Sequence, residues 1–225
     1  MTDLYVLRVF VGPDGAGGNA LGVVLDGPAI PSSERQAIAA ALGFSETVFV
    51  DDAAAGRLAI FTPAAELPFA GHPLVGTGWL LRHQGVSVPV LRPAAGEVPA
   101  WEDEGLSWIT GRAEWAPDMA IRQYADPAEV EALPVPGPEA GFVYAWAWAD
   151  EVAGRVRSRA FAGHLGIPED EATGAAAVRL TALLGRPLDI RQGVGSRILG
   201  RPADGPGKDS VSIGGRVALV EVRQL

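Results

Sequence analysis

The sequence predicts an α+β fold built from curved antiparallel sheets, and three observations predict it. Runs rich in β-branched and aromatic residues outnumber helical ones along the chain. They succeed one another across short turns marked by glycine and proline, as hairpins do. Two helical segments, opening near His72 and Gly174, are apolar on almost every side, so sheets must wrap them.

Taking the chain in order, Leu4–Val11 reads as a strand by its Val, Tyr and Phe content. The loop that follows, Gly12 to Asn19, contains Gly15-Ala16-Gly17-Gly18-Asn19-Ala20, which formally matches a dinucleotide-binding fingerprint. The match is rejected, because a short strand-like run (Leu21–Asp26) follows where a long helix is required. A glycine hairpin or bulge fits better. Pro31–Gly43 is the best local helix, with Ser33 and Gln36 as a capping box, Ile38, Ala41 and Leu42 as its core stripe and Gly43 as its stop. Phe44–Val50 is a strand with Glu46 at its mouth, and Arg57–Thr62 pairs with it.

The central segment comes next. Glu66 to Leu81 runs from a loop into a buried helix, with His72 at the N-cap, Pro73 at the first helical position and Gly85 beyond its end. Gly71 permits close approach of a ligand. Uncapped N–H groups and the positive dipole end make such a start an anion site. Ser87–Leu91 and Gly105–Thr110 read as strands, with Glu102, Asp103 and Glu104 as a solvated turn. Asp126-Pro127-Ala128-Glu129 opens a short capped helix, and Pro134–Gly141 is a turn-rich linker. Phe142–Trp148 alternates with period two, placing Trp146 and Trp148 on one core-facing side, and Arg155–Phe161 is a further strand.

Phe161 to Ala177 then repeats the loop-to-helix theme, ending near Gly185. Phe61 and Pro68 correspond to Phe161 and Pro168, and Gly71 to Gly174. The match is short, and pattern alone leaves duplication and coincidence equally open. As a duplication, it gives two half-domains, each around one helix, with the two helix starts facing across a cleft. Leu188–Gly193, Val211–Gly215 and Arg216–Val222 complete the chain as antiparallel strands.

Composition narrows the function. The 225 residues suffice for one large domain or two small ones, and 48% hydrophobic with 20% charged residues is ordinary for a soluble globular protein. A net charge of −9 argues against nucleic acid as a partner. The absence of cysteine removes disulfides, thiolate metal sites and thiol nucleophiles. No apolar run is long enough for a membrane span and no signal-peptide pattern opens the chain, so the cytoplasm is the expected location.

Several blocks together carry a family resemblance. They are Gly18-Asn19-Ala20-Leu21-Gly22, Ser45-Glu46-Thr47, Phe61–Pro73 with its Gly71-His72-Pro73, Pro168–Gly174, and Gln192-Gly193 with Gly200-Arg201-Pro202. In this order, spanning nearly the whole chain, they resemble the PhzF family of phenazine-biosynthesis-like proteins, which have the diaminopimelate epimerase-like fold. The resemblance implies two pseudo-symmetric half-domains, each a curled, mostly antiparallel sheet around a central helix. These would be residues 1–112 and 113–225, the last strand pairing back with the first half. It implies a cofactor-independent, metal-free isomerase or epimerase that shifts a proton between carbons of a small unsaturated or amino-bearing carboxylate. Glu46 falls on the family's general acid/base. His72 and Asp170 fall on substrate-facing positions, and Gly71, Thr173 and Gly174, with Asn19, on the substrate-binding backbone and loop. A homodimer is implied as well.

The chemistry is consistent with the residues. A proton moved between carbons needs one group that is base first and acid second, and a carboxyl lifted by burial serves near neutrality. Opposed helix starts stabilise charge building on a conjugated carboxylate. His83 sits in a last helical turn, where histidine is simply favourable, and His164 reads as structural. Departures from the family pattern are Ala175 where Ser is usual, Ala20 and Glu171 where Pro is usual, and a short Asp118–Gly141 region. They keep open a second reading, a non-catalytic carboxylate-binding relative without turnover.

Overall fold

The computed structural model describes residues 2–203 and 209–225. In the first half, β1 (Asp3–Val11) and β2 (Asn19–Val24) form a hairpin across the glycine loop. Helix α1 (Ser32–Leu42) then crosses over to β3 (Glu46–Asp52), which lies parallel to β2. β4 (Arg57–Phe61) and β5 (Glu66–Leu67) follow antiparallel and lead into α2 (Gly71–His83). β6 (Val90–Leu91), β7 (Val98–Asp103) and β8 (Leu106–Arg112) form an antiparallel meander.

The second half repeats the order. β9 (Ala120–Gln123) is joined through α3 (Pro127–Glu131) to a parallel β10 (Val143–Asp150). β11 (Arg155–Ala162) and β12 (Ile167–Asp170) follow antiparallel and lead into α4 (Gly174–Leu184). β13 (Leu188–Gln192) lies parallel to β11, and β14 (Ser196–Pro202) and β15 (Ser210–Gln224) complete the chain. Strand, crossover helix, parallel strand, hairpin, short strand and buried helix thus occur twice. One hydrogen-bonded path links them in the order β5-β4-β3-β2-β1-β15-β14-β13-β11-β10-β9.

Period-two alternation assigns the faces. On β1, Leu7 and Val9 face the main core with Leu74, Val75 and Leu81 of α2, whereas Leu4 and Val6 meet Ala39 of α1. On β10, Tyr144 and Trp146 face the main core, while Val143, Ala145 and Ala147 meet Val130 of α3. Each sheet therefore carries its crossover helix outside and its buried helix inside. Trp146 and Trp148 share a face as expected, their rings 5.1 Å apart at 89°. Among the described residues no helix is long and apolar enough to cross a membrane.

Five local expectations are corrected. The capping box of α1 does not form: Pro31 is the N-cap, and Gln36 instead donates to the Thr62 and Pro63 carbonyls at 3.0 and 3.1 Å. Its stripe is shifted too, with Ala39 buried and Ala41 exposed. Helix α2 starts at Gly71 with Ala70 as N-cap, so His72 and Pro73 lie inside its first turn. Glu102 and Asp103 belong to β7 rather than to a turn, although both are exposed. Finally, Val211–Gly215 and Arg216–Val222 are one strand. Gly214 and Gly215 do not turn; a Cβ there would fall 2.2 Å from the Trp108 ring and 2.6 Å from that of Phe10. The first part of β15 pairs β8 and β14, and its Arg216–Gln224 part pairs β1.

Candidate active site

The two buried helices meet end to end. A Cβ on Gly71 would lie 2.6 Å from Gly174 C, and a Cβ on Gly174 would lie 2.6 Å from His72 N. Only glycine at both positions lets the helix starts abut. Neither start has a side-chain cap, so first-turn N–H groups of both helices are left without a side-chain acceptor. Their dipoles converge on one point and favour negative charge there.

Around that point the chain gathers Glu46 from the start of β3, His72 from α2, Asn19 from β2, and Asp170 and Thr173 from the entry to α4. All five are buried. Glu46, His72, Asp170 and Thr173, with Leu67, Phe69, Phe142 and Ala175, line a partly open space of about 30 Å³. The residues singled out from sequence are thereby brought together, from both halves and from positions up to 155 residues apart, with Gly71 and Gly174 as floor.

The two carboxyls differ sharply in their surroundings. Both Asp170 oxygens are bonded: Asn19 Nδ2 donates to Oδ1 at 2.6 Å and Thr173 Oγ1 to Oδ2 at 2.6 Å. Glu46 Oε2 has no hydrogen-bond partner among the described residues, although His72 Nδ1 lies 3.3 Å away. Hydrogen bonds to a carboxylate favour its charged form. Burial lifts Asp170 to about 6, against the pull of its Thr173 and Asn19 donors. Burial, with the Asp170 charge adding to it, lifts Glu46 well above the usual carboxylate range. His72 goes the other way, pushed by burial down to about 3 with the Ala20 backbone partly opposing. The imidazole is therefore neutral, and its approach to Glu46 is no ion pair. His72 Nε2 is likewise without a partner.

Two further residues support the site. Gln192 is fully buried and donates to the Asp170 carbonyl and to Thr173 Oγ1, both at 2.8 Å, while its Oε1 accepts from Thr173 N. Ser45 Oγ donates to Asn19 Oδ1 at 2.7 Å, which orients the Asn19 amide. The signal for Gln192 was present in the sequence. It occupies the inward position of the Leu188, Ile190, Gln192 alternation, where an apolar residue belongs. His83 is exposed and stacks on Trp79, and His164 is exposed in the second loop, its ring 6.4 Å from that of Phe142.

Residues 13–112 match the family model described as phenazine biosynthesis-like protein. The trans-2,3-dihydro-3-hydroxyanthranilate isomerase of Pseudomonas fluorescens is 30% identical over 83% of this chain and 83% of its own. Among solved structures, a PhzF-family phenazine biosynthesis protein from Bacillus anthracis superimposes with a TM-score of 0.80 at 20% identity, over 100% of this chain and 98% of that one. A predicted epimerase from Pseudomonas aeruginosa does so with a TM-score of 0.77 at 26% identity, over 100% and 99%. The fold is the diaminopimelate epimerase-like one.

Proposed function

The chain belongs to the phenazine biosynthesis-like (PhzF) family and is an isomerase, and on that premise we propose that it shifts a proton between carbons of a small unsaturated or amino-bearing carboxylate, with Glu46 as the acid and base. The observation that carries this reading is the contrast between the two buried carboxyls. Asp170 is held by two donors while Glu46 Oε2 faces the cavity unpartnered. Environments that push two titrating groups apart assign their roles. Asp170 ionises first and orients the substrate. Glu46, lifted well above the usual carboxylate range, is a correspondingly stronger base once ionised, and so takes a proton from one carbon and returns one to another.

His72, lowered to about 3, does not compete for that proton. It serves as a neutral hydrogen-bonding group for the substrate. The uncapped starts of α2 and α4 accept the substrate carboxylate and the charge that spreads onto it in the transition state. Leu67, Phe69 and Phe142 present apolar surface to an unsaturated skeleton and keep water from intercepting the proton.

The test is solvent deuterium exchange followed by proton NMR, for the protein and Glu46→Gln. The panel is unsaturated and amino-bearing ring carboxylates, including the substrate named for the Pseudomonas fluorescens relative. Deuterium entering carbon positions with the native protein and not with Glu46→Gln supports the reading. Exchange that survives in Glu46→Gln removes Glu46 from its role.

The reading includes a homodimer. Its support is the Arg216–Gln224 part of β15, which pairs β1 along one edge, no described strand pairing the other. Val220 and Val222 are 55% and 48% exposed there. Exposed apolar residues on an unpaired strand edge invite pairing with a second chain. Light scattering should give twice the chain mass, and Val220→Lys with Val222→Lys should halve it; a monomeric native protein would withdraw this part.

A further inference from the structure

Glu171 stands where the family usually has proline, directly between Asp170 and the start of α4. Its carboxylate does not point to solvent alone. Oε1 accepts Val194 N–H at 2.9 Å and the Ser196 hydroxyl at 2.8 Å. Oε2 lies 3.1 Å from the same Val194 N. Ser196 Oγ, having donated its only proton to Glu171, accepts Gly18 N–H at 2.7 Å from the other half of the molecule. The residue after Gly18 is Asn19, whose amide donates to Asp170 Oδ1. Asp170 in turn precedes Glu171. Two covalent links and three hydrogen bonds therefore close a ring: Asp170, Glu171, Ser196, Gly18, Asn19 and back to Asp170.

The surrounding backbone is shaped to this ring. Gly193 has φ +57°, and a Cβ there would fall 2.1 Å from Glu171 Oε2. Gly17 has φ +65°, and a Cβ there would fall 2.3 Å from Ser196 N. Both glycines permit a conformation and an approach that other residues oppose. Proline at 171 would offer no acceptor, and the Ser196 rotor and Val194 N–H would lose their partner.

We propose that Glu171 is a positioning residue, whose carboxylate closes this ring, clips the Gly17–Asn19 loop of one half to the Asp170–Thr173 segment of the other, and so holds the Asn19–Asp170 pair against Glu46 and His72. The inference rests on the reading of that cluster as the reacting centre. Glu171 does not itself line the cavity; it acts on the pair through Ser196 and Asn19, and its charge adds to the raising of the adjoining Asp170.

The test uses Glu171→Ala, Ser196→Ala, the double variant and Glu171→Gln. Hydrogen exchange at the Gly18 amide and the chemical shift of the Asn19 side-chain amide are followed by NMR, and isomerase kinetics alongside. The Gly18 N–H bonds a neutral hydroxyl, but that hydroxyl is fixed by its bond to the charged Glu171 carboxylate, a bond worth at least about tenfold in an equilibrium. Gly18 exchange should therefore rise about tenfold or more in Glu171→Ala and in Ser196→Ala, with the Asn19 amide shifting in both. The double variant should add nothing to Ser196→Ala, since the two residues serve one bond. Glu171→Gln keeps an acceptor and should retain most of the protection. The value of kcat should fall about tenfold in the first two variants with KM kept.

A response confined to Val194, with Gly18 and Asn19 unchanged, would reduce Glu171 to a local turn cap and overturn the proposal. Release of Gly18 with kcat unchanged would overturn it equally. If the native protein exchanges no carbon proton on the whole panel, the proton-transfer reading falls by itself. The Gly18 and Asn19 resonances then still decide the ring, shifted ones upholding it and unshifted ones overturning it.

Discussion

Substituting Gly71 by alanine separates sequence logic from structure, because the two give opposite signs. By helix propensity alone, replacing a helical glycine with alanine gains roughly 1 kcal/mol. In the structure, however, the new Cβ would lie 2.6 Å from Gly174 C, 2.7 Å from Gly174 Cα and 2.7 Å from Ile213 Cδ1. Carbon pairs prefer about 3.5–4.0 Å. The shortfall is close to 1 Å, and two of the three neighbours are backbone of the opposing helix start, which no rotamer change relieves. Overpacking of this kind costs about 1–3 kcal/mol. With two backbone atoms in the way the cost falls in the upper part of that range, about 2–3 kcal/mol, so that after the propensity gain Gly71→Ala should be destabilised by about 1–2 kcal/mol net, with the helix starts forced apart and turnover reduced. Gly78 in the same helix is the control, since its nearest atoms would be Arg82 Nη1 at 3.5 Å and Ala100 Cβ and Leu91 Cδ1 at 3.6 Å, ordinary contacts. Gly78→Ala should stabilise by about 0.5–1 kcal/mol. Urea unfolding with linear extrapolation measures both, the first shift amounting to about 0.5 M at the steep slopes of a chain this size. A Gly71→Ala protein as stable and as active as the native one would refute the end-to-end packing of α2 and α4.

Three further outcomes follow from the electrostatics. Because the folded Glu46 carboxyl titrates above its unfolded value, the native state binds the extra proton, and stability falls as pH rises past the ordinary carboxylate range. Glu46→Gln should remove that loss: more stable than the native protein at pH 8, the gap closing toward pH 4, by denaturant unfolding at each pH. His72, lowered to about 3, binds fewer protons folded than unfolded, so it costs stability as pH falls from about 6.5 toward 3, by up to about 5 kcal/mol. Its imidazole resonances should therefore not titrate between pH 5 and 8, and His72→Gln should flatten the acid limb of the stability curve. Asn19→Ala deletes the 2.6 Å donor to Asp170 Oδ1 and the 3.0 Å bond to the Ala172 carbonyl. It should cost about 2–4 kcal/mol and move the Asp170 titration, read by carboxyl carbon NMR, upward from about 6.

Much of this molecule was legible residue by residue. Strands with a buried face announce themselves by alternation, as in Val143–Asp150, and the Asp126 cap of α3 formed as its spacing requires, accepting Glu129 N–H at 3.0 Å. Among the strands that escaped, β7, β9 and β14, exposed polar residues stand at Glu102, Asp103, Arg122, Gln123 and Arg201. These segments are strands because neighbours bond them, not because their own pattern demands it. The Gln36 side chain shows the same override, leaving a capping box for two carbonyls of the β4–β5 turn. The Gly214-Gly215 pair, which the sequence places at the end of one strand, instead lies within β15 and makes room for two aromatic rings that arrive from β8 and β1.

What the sequence by itself determined is therefore the local and the motif-borne: the two buried helices, the sheet-forming runs around them, and the blocks that carry Asn19, Glu46, His72 and Asp170. What only the tertiary structure decided is which of two chemically alike carboxyls is the free one, and that Glu171 and Ser196 tie one half to the other. Burial, unpaired oxygens and contacts between residues 178 positions apart are set by packing across the cleft, and no local pattern in a chain encodes them.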